Sequence, residues 1–414
     1  AYGKHYTIAW PSEEMRSCRP TRRSPLYAHL TSAGACFGEK LGWERPNWFA
    51  DLAAGEAPVD RYSYGRPGWW GAVRREHQVA REAAVLIDQT SFAKFRLKGP
   101  GAARDLNRIA AGNVDRAPGS LTYTQILNRK GGIECDLTVA RLAEDEFYIV
   151  TGTGFATHDF DWIARNLTGD CQLSDVTSGS AVLSLMGPEA RAILTRVCGD
   201  DLSNDGFRFG TARWISVAKC PVLALRVTYV GELGWELHIP VDCAVTVYEA
   251  LMDAGRDLGL ANGGYRAIET LRLEKGYRAW GADIGPDHTP VEAGLAWACK
   301  MKSNEDFIGR AAVASQLAGG VKKALATFTA APEVVLLGRE TIYRNGERVG
   351  WLSSGGFGHT VGKSIGLGYV RHPGGVTEDF VRSGTYELEV ASERVPAEVH
   401  LEPLYDPKGL RVKA

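Results

Sequence analysis

Apolar and polar residues alternate most cleanly between Leu121 and Leu142. Ile133, Cys135, Leu137 and Val139 take turns with Glu134, Asp136, Thr138 and Ala140, the period of two that gives a strand one buried and one polar face. An apolar-leaning run precedes them, and Asn128-Arg129-Lys130-Gly131-Gly132 joins the two. The stretch predicts a β-hairpin, its glycines allowing the positive φ that tight turns need. Asp136 then points away from the apolar layer, mid-strand, where Asp is disfavoured. Pattern alone makes such an acid a solvated one, so any chemistry at Asp136 requires a pocket supplied by other parts of the chain.

The remaining patterns set out a chain of mixed elements. Helical spacing over 74–87 places Val73, His77, Ala80, Ala84 and Ile87 near one face. A strand over 92–97 leads through Gly99-Pro100 to a helix over 101–110, and Glu146 to Val150 reads as another strand. That strand runs into a Gly152-x-Gly154 turn and a further helix; without a third glycine the turn is a poor nucleotide fingerprint and a fairer backbone-amide turn. Strand, Gly-Pro and helix recur at 181–198, about 90 residues later, which predicts a duplicated half-domain and a pseudo-symmetric core. Residues 222–240 form a bulged or hairpin-like strand, 243–258 an amphipathic helix, and a later helix ends at Gly276. From about residue 324 short alternating runs separated by glycine turns predict an all-β C-terminal domain, a small barrel. Residues 1–70 hold five of the eleven tryptophans but no long periodic element. They read as a wrapping segment, packed either on another body or on this chain's own core.

Composition narrows the class. The 414 residues are 44% hydrophobic and 23% charged, with net charge −1. Nothing in that balance invites nucleic acid or an anionic membrane, and no apolar run approaches the ~18–20 residues of a membrane span. The eight cysteines are scattered without a CxxC pair, which suits free thiols in a reducing compartment and no structural metal. Ala1 in first place implies a chain that was processed, tagged or cut from something longer.

Four stretches carry a resemblance: EHQVAREAAVLID (76–88), GGIECDLTV (131–139), YVGELGWEL (229–237) and TPVEAGLAWACKMKSNEDFIG (289–309). Together they resemble the glycine-cleavage T-protein (aminomethyltransferase) family of tetrahydrofolate-binding proteins. SGGFGHTVGKSIGLGYV (354–370) and PLYDPKGLRV (403–412) are similar to its C-terminal barrel. HYTIAWPSEE and GACFGEKLGWERPNWF, near the start, resemble the end of the flavin-oxidase half of dimethylglycine and sarcosine dehydrogenases.

The resemblance implies an α+β fold, with a folate-binding core of strand–helix half-domains around a central cavity and a C-terminal β-barrel. The expected divisions are 1–65 as the tail of a flavin-oxidase module, 66–322 as the catalytic core and 323–414 as the barrel. It places tetrahydrofolate in the cavity, with Glu236, the acid ending YVGELGWE, as the bidentate acceptor for the pterin's guanidine-like edge. Tyr229 shapes the same pocket, and Glu232 falls in the turn. Asp136 takes the proton-transfer role at the folate nitrogens, Cys135 standing where the family has the first acid of the pair and Asp136 matching the second. Trp297 is implied to stack on the pterin or benzoyl ring, and Tyr123 to precede the catalytic strand. The family's tail-clamping arginine falls at Ile268, with Arg266 or Arg272 as substitutes. The expected function is capture, as 5,10-methylenetetrahydrofolate, of the carbon released when an amine such as dimethylglycine or sarcosine is oxidatively demethylated. FAD is expected only in an absent or partner domain, the partner being a flavin-dependent oxidase half or subunit. The expected location is cytoplasmic or the mitochondrial matrix. A free-standing transferase or demethylase and a non-catalytic folate-binding subunit are the alternatives.

Overall fold

A computed structural model describes residues 2–414. In chain order the elements are α1 (Tyr27–Ser32), β1 (Ala35–Lys40), β2 (Trp43–Phe49), α2 (Trp70–Glu82), β3 (Ala84–Asp88), β4 (Ala93–Lys98) and α3 (Ala102–Ile109). Next come β5 (Leu121–Leu127), β6 (Ile133–Ala143), β7 (Glu146–Thr151), α4 (Ala156–Arg165), β8 (Gln172–Asp175), β9 (Ser180–Met186) and α5 (Ala190–Val197). Then follow β10 (Ala212–Val217), β11 (Cys220–Leu225), β12 (Gly234–Pro240), α6 (Ala244–Ala254), β13 (Leu260–Gly263), α7 (Tyr265–Glu274) and α8 (Arg310–Gly319). The chain closes with β14 (Lys323–Ala330), β15 (Thr341–Arg344), β16 (Glu347–Gly358), β17 (Lys363–Arg371), α9 (Glu378–Arg382), β18 (Tyr386–Val390) and β19 (Glu393–His400).

Two sheets make the core, in the orders β5-β6-β7-β4-β8 and β10-β11-β12-β9-β3-β13. Leu106, Ile109 and Ile163 of α3 and α4 pack with Phe95, Cys135, Leu137 and Ile149 on one face of the first sheet. Ile193, Leu194, Val247 and Leu251 of α5 and α6 pack with Trp235, Leu237 and Leu183 on one face of the second. The two remaining faces meet each other through Ala140, Tyr148, Val150, Leu223 and Leu225. The layers therefore run helix, sheet, sheet, helix, and the inner sheet-to-sheet layer belongs to neither helical core.

The repeated Gly-Pro turns are equivalent in detail. Gly99 and Gly187 have φ of 139° and 135°, open only to glycine. A Cβ on either would stand 2.7 Å from a neighbouring strand's Cα, that of Cys171 or Ala84. Each donates its amide to the residue just ahead of a third strand, Asp145 before β7 and Leu233 before β12. Aligning the two turns makes Lys98 equivalent to Met186. Since Lys98 pairs with Glu146 and Met186 with Gly234, Tyr148 of β7 corresponds to Glu236 of β12.

β14-β17-β16-β15-β18-β19 close into a barrel with Phe328, Ile342, Leu352 and Leu388 inside. The helix expected over 74–87 stops at Glu82: Ala83 leaves helical geometry (φ −135°, ψ −107°), and Ala84–Asp88 is a fully buried strand. An apolar run this short is strand-like wherever both its faces are covered. The helix expected over 243–258 breaks at Gly255 into a separate turn. Residues 24–50 pack on this chain's own core: Leu26, Leu30 and Ala35 join the second sheet's cluster, and Trp48 and Trp69 share a smaller one with α2.

Candidate functional site

The β5–β6 hairpin forms as expected, and its register decides where Asp136 points. Asp136 lies opposite Gln125, and Thr138 and Ala140 lie opposite Val150 and Tyr148. Directly opposed residues share a face, so Asp136 stands on the surface that meets the second sheet. There Gln125 donates Nε2–H to Asp136 Oδ1 at 2.9 Å, and the Tyr123 hydroxyl lies near enough to draw the carboxyl's pKa down. Burial pushes the Asp136 carboxyl up to about 6, against the pull of those two donors; Asp159 adds to the rise and Arg278 opposes it. A carboxyl so placed exchanges protons near neutrality.

Glu236 and His238 stand on the matching face of the second sheet, opposite Leu225 and Leu223 of β11. Glu236 is 8% exposed. Among the described residues the basic group in ion-pair range is the His238 ring, Nε2 at 3.8 Å from Oε2, beyond hydrogen-bond length. Among the described residues nothing donates a hydrogen bond of normal length to this carboxylate. His238 Nε2 and Gln125 Oε1 are buried atoms without a hydrogen-bond partner among the described residues. Buried polar groups in folded proteins are ordinarily paired, so three unsatisfied groups on two facing surfaces suit a polar ligand held between the sheets. Glu232, by contrast, is bound by Arg81 at 2.9 Å and Tyr405 at 2.6 Å.

Tyr229 lies in the loop before β12, where its hydroxyl donates to the Arg278 carbonyl at 2.9 Å. Burial raises its pKa, and the charge of Asp136 contributes, which places the two in one electrostatic environment. Tyr123 stacks on Trp297, ring centroids 5.9 Å apart at 30°. Trp297 is 72% exposed, an aromatic face open to solvent at the edge of the hairpin. Arg278, half-buried and in the electrostatic field of Tyr123 and Asp136, is a member of the site that the pattern did not signal; the only hint was a basic residue just past the helix-ending Gly276.

Arg272 is the correction. All its donors are engaged within the chain: Nε and Nη2 with Glu269, Nη1 with Asp283 and the Tyr277 carbonyl, Nη2 also with Ser354. It is 2% exposed and ties α7 to the barrel, so nothing remains to clamp an anionic tail. Arg266 is equally committed, bidentate to Asp60 at 2.5 and 3.0 Å. Cys135 points into the apolar core with a thiol held protonated by burial and by Asp159. With His158 and Asp159 it brings a sulfur, a nitrogen and an oxygen within 4.8 Å of one another. Asp159 accepts from Thr151 at 2.5 Å and pairs with His158 at 2.9 Å, so these groups form a hydrogen-bond chain behind the Asp136 strand.

Comparison with known proteins now bears on this geometry. Residues 26–303 match the GCVT N-terminal domain, and residues 323–406 match the glycine cleavage T-protein C-terminal barrel domain. The chain belongs to the glycine-cleavage T-protein family. The crystal structure of glycine cleavage system aminomethyltransferase T from Bartonella henselae superposes with a TM-score of 0.78 at 27% identity, covering 94% of this chain and 99% of that one. An aminomethyltransferase of Halothermothrix orenii is 33% identical over 76% of this chain and 87% of its own length. Human mitochondrial sarcosine dehydrogenase is 39% identical over the whole of this chain but only 49% of its own length. The chain thus spans about half the length of the dehydrogenases it matches. No helix among the described residues is long and apolar enough to cross a membrane.

Proposed function

We propose that this T-protein-family chain binds tetrahydrofolate between its two sheets and transfers a one-carbon unit to it. The observation that carries the reading is Glu236, a nearly buried carboxylate that receives no hydrogen bond from any described residue. An ionised carboxylate out of water needs donors, and the pterin edge offers two parallel N–H groups in the geometry a carboxylate accepts. Trp297, stacked on Tyr123, offers a flat aromatic surface for the ligand's rings.

Tetrahydrofolate supplies the two nitrogens that take up the carbon, giving 5,10-methylenetetrahydrofolate. The residues bind, orient and handle the proton. Glu236 fixes the pterin end. Asp136, held by Gln125 and Tyr123, takes the proton a folate nitrogen loses as it becomes bonded to carbon, and its raised carboxyl can return that proton near neutral pH. Gln125 suits either state of Asp136, donating to the carboxylate through Nε2 or, after an amide flip, accepting from the acid through Oε1. The two acids occupy non-equivalent places in the pseudo-symmetric halves, so one half anchors while the other handles the proton.

The methylated amine would be oxidised elsewhere, on a flavin-bearing half or subunit. The extra length of the similar dehydrogenases supports that partner, as does the resemblance of residues near the start of the chain to the end of such a half. The division at 1–65, 66–322 and 323–414 then describes a wrapping segment, a catalytic core and a barrel. A cytoplasmic or mitochondrial-matrix site suits the free thiols. Titration calorimetry with tetrahydrofolate on wild type and Glu236→Ala tests the pocket: a loss of at least about 30-fold is expected for a charge-assisted pair, and equal affinity would refute the assignment. Formaldehyde-dependent formation of methylenetetrahydrofolate by Asp136→Ala tests the chemistry. Unchanged turnover there would leave a folate-binding subunit without catalysis.

A further inference from the structure

The machinery around Glu236 contains a second layer that the proposed reading does not use. His238 lies two residues beyond Glu236 on the same face of β12, is 2% exposed, and bridges the two half-domains. Its Nδ1 lies 3.0 Å from the Tyr148 hydroxyl of β7, the rings edge to face at 5.2 Å. Its Nε2 lies 3.8 Å from Glu236 Oε2 and has no hydrogen-bond partner among the described residues.

We propose that Tyr148 and His238 are positioning residues that hold the Glu236 carboxylate for its ligand, Tyr148 selecting the imidazole tautomer whose Nε2–H faces Glu236. The inference rests on the reading of Glu236 as the pterin acceptor.

Hydrogen-bond logic fixes the tautomer. A neutral imidazole carries one N–H and one bare nitrogen. If Nδ1 carried the hydrogen, the bare Nε2 would face a carboxylate, two acceptors with no proton between them. If Tyr148 donates to a bare Nδ1, the hydrogen sits on Nε2 and points at Glu236. Burial lowers the His238 pKa, in keeping with a neutral ring. Each carboxylate oxygen has two acceptor sites, so Oε2 can take the imidazole N–H and a ligand N–H together. The 3.8 Å gap closes with a small movement of the Glu236 side chain. The pseudo-symmetry gives the arrangement its shape: Tyr148 occupies in the first half the place of Glu236 in the second, and the imidazole spans the two equivalent positions.

The test is tetrahydrofolate affinity by calorimetry, with thermal unfolding in parallel. His238→Leu is expected to weaken binding about tenfold or more, the effect of losing a hydrogen bond to a charged group. His238→Gln, whose side-chain amide reaches about where Nε2 lies, is expected to stay within about threefold of wild type. Tyr148→Phe is expected to weaken binding about three- to tenfold in the wild-type background and to have no effect in the His238→Gln background, where no tautomer is left to select. That last pair keeps the test open should His238→Leu fail to fold. If Glu236→Ala weakens binding but neither His238→Leu nor Tyr148→Phe does, the positioning role is wrong and the pocket stands. If His238→Gln binds no better than His238→Leu, the histidine acts by packing, and the proposal falls. If Glu236→Ala itself binds like wild type, the pocket reading fails first.

Discussion

Replacing Asp136 by Asn tests this half-buried acid through stability, independently of any ligand. In the folded chain burial holds this carboxyl at about 6, against an ordinary value of 3.8. At about 1.4 kcal/mol for each tenfold in proton affinity, keeping it ionised costs the fold about 3 kcal/mol. The sign follows from the raised value. The protonated form is the one the fold favours, so this group's favourable contribution is complete below 3.8 and is lost as pH rises through about 6. Asn has nearly the same shape, can still accept from Gln125, and never ionises. Asp136→Asn should therefore be more stable than wild type near pH 8, by up to about 3 kcal/mol, and hardly different near pH 4. Urea denaturation followed by tryptophan fluorescence, run on both proteins at both pH values, measures it. The same variant should lose carbon capture, stability rising as function falls. A stability difference independent of pH would mean that Asp136 meets water freely, and the reasoning from its register to its burial would be wrong.

Three further outcomes follow from the same geometry. Trp297→Ala should leave the unfolding midpoint nearly unchanged, since the ring is 72% exposed, yet weaken tetrahydrofolate binding about two- to tenfold by calorimetry, the value of an aromatic stack; unchanged affinity would remove Trp297 from the site. Arg272→Met should destabilise the chain by about 3–5 kcal/mol in urea, because it leaves the 0%-exposed Asp283 without its cation, and a fully stable variant with weakened folate binding would restore the clamp role rejected above. For Glu274, burial works against the charge, but His77, Arg81 and the Val361 amide hold its carboxyl down to about 2. Its stabilisation is present above about 4.5 and lost as pH falls towards 2, so wild type should lose about 3 kcal/mol more than Glu274→Gln over that window, and parallel acid titrations of the urea midpoint would expose the opposite result.

Much of this architecture was legible in the residues. Period-two alternation marked the β5–β6 hairpin, because a sheet with one covered face leaves that signature on each strand. The repeated Gly-Pro turns announced the duplicated half-domain, because the backbone at Gly99 and Gly187 admits no side chain. Glycine-punctuated short runs announced the barrel. The stretch 83–88 misled, because a short apolar run carries no period and only its neighbours decide between helix and strand.

The site was legible only as a set of residue types. The alternation in β6 required that Asp136 leave the apolar face, and there its information ended. Whether that outer face met water or another sheet depended on how two half-domains dock, a matter of contacts between residues about 90 positions apart. Docking placed Asp136 and Glu236 on opposing inner surfaces, half-buried the first and buried the second, and left Glu236 without a hydrogen-bond donor among the described residues. It also spent Arg272 on Asp283 and Ser354, and brought Tyr148 of one half to His238 of the other. Local pattern fixes which face a side chain takes, because that follows from backbone period. Burial, partners and proton affinity come from what lies across the face, and for Asp136 that was the second sheet.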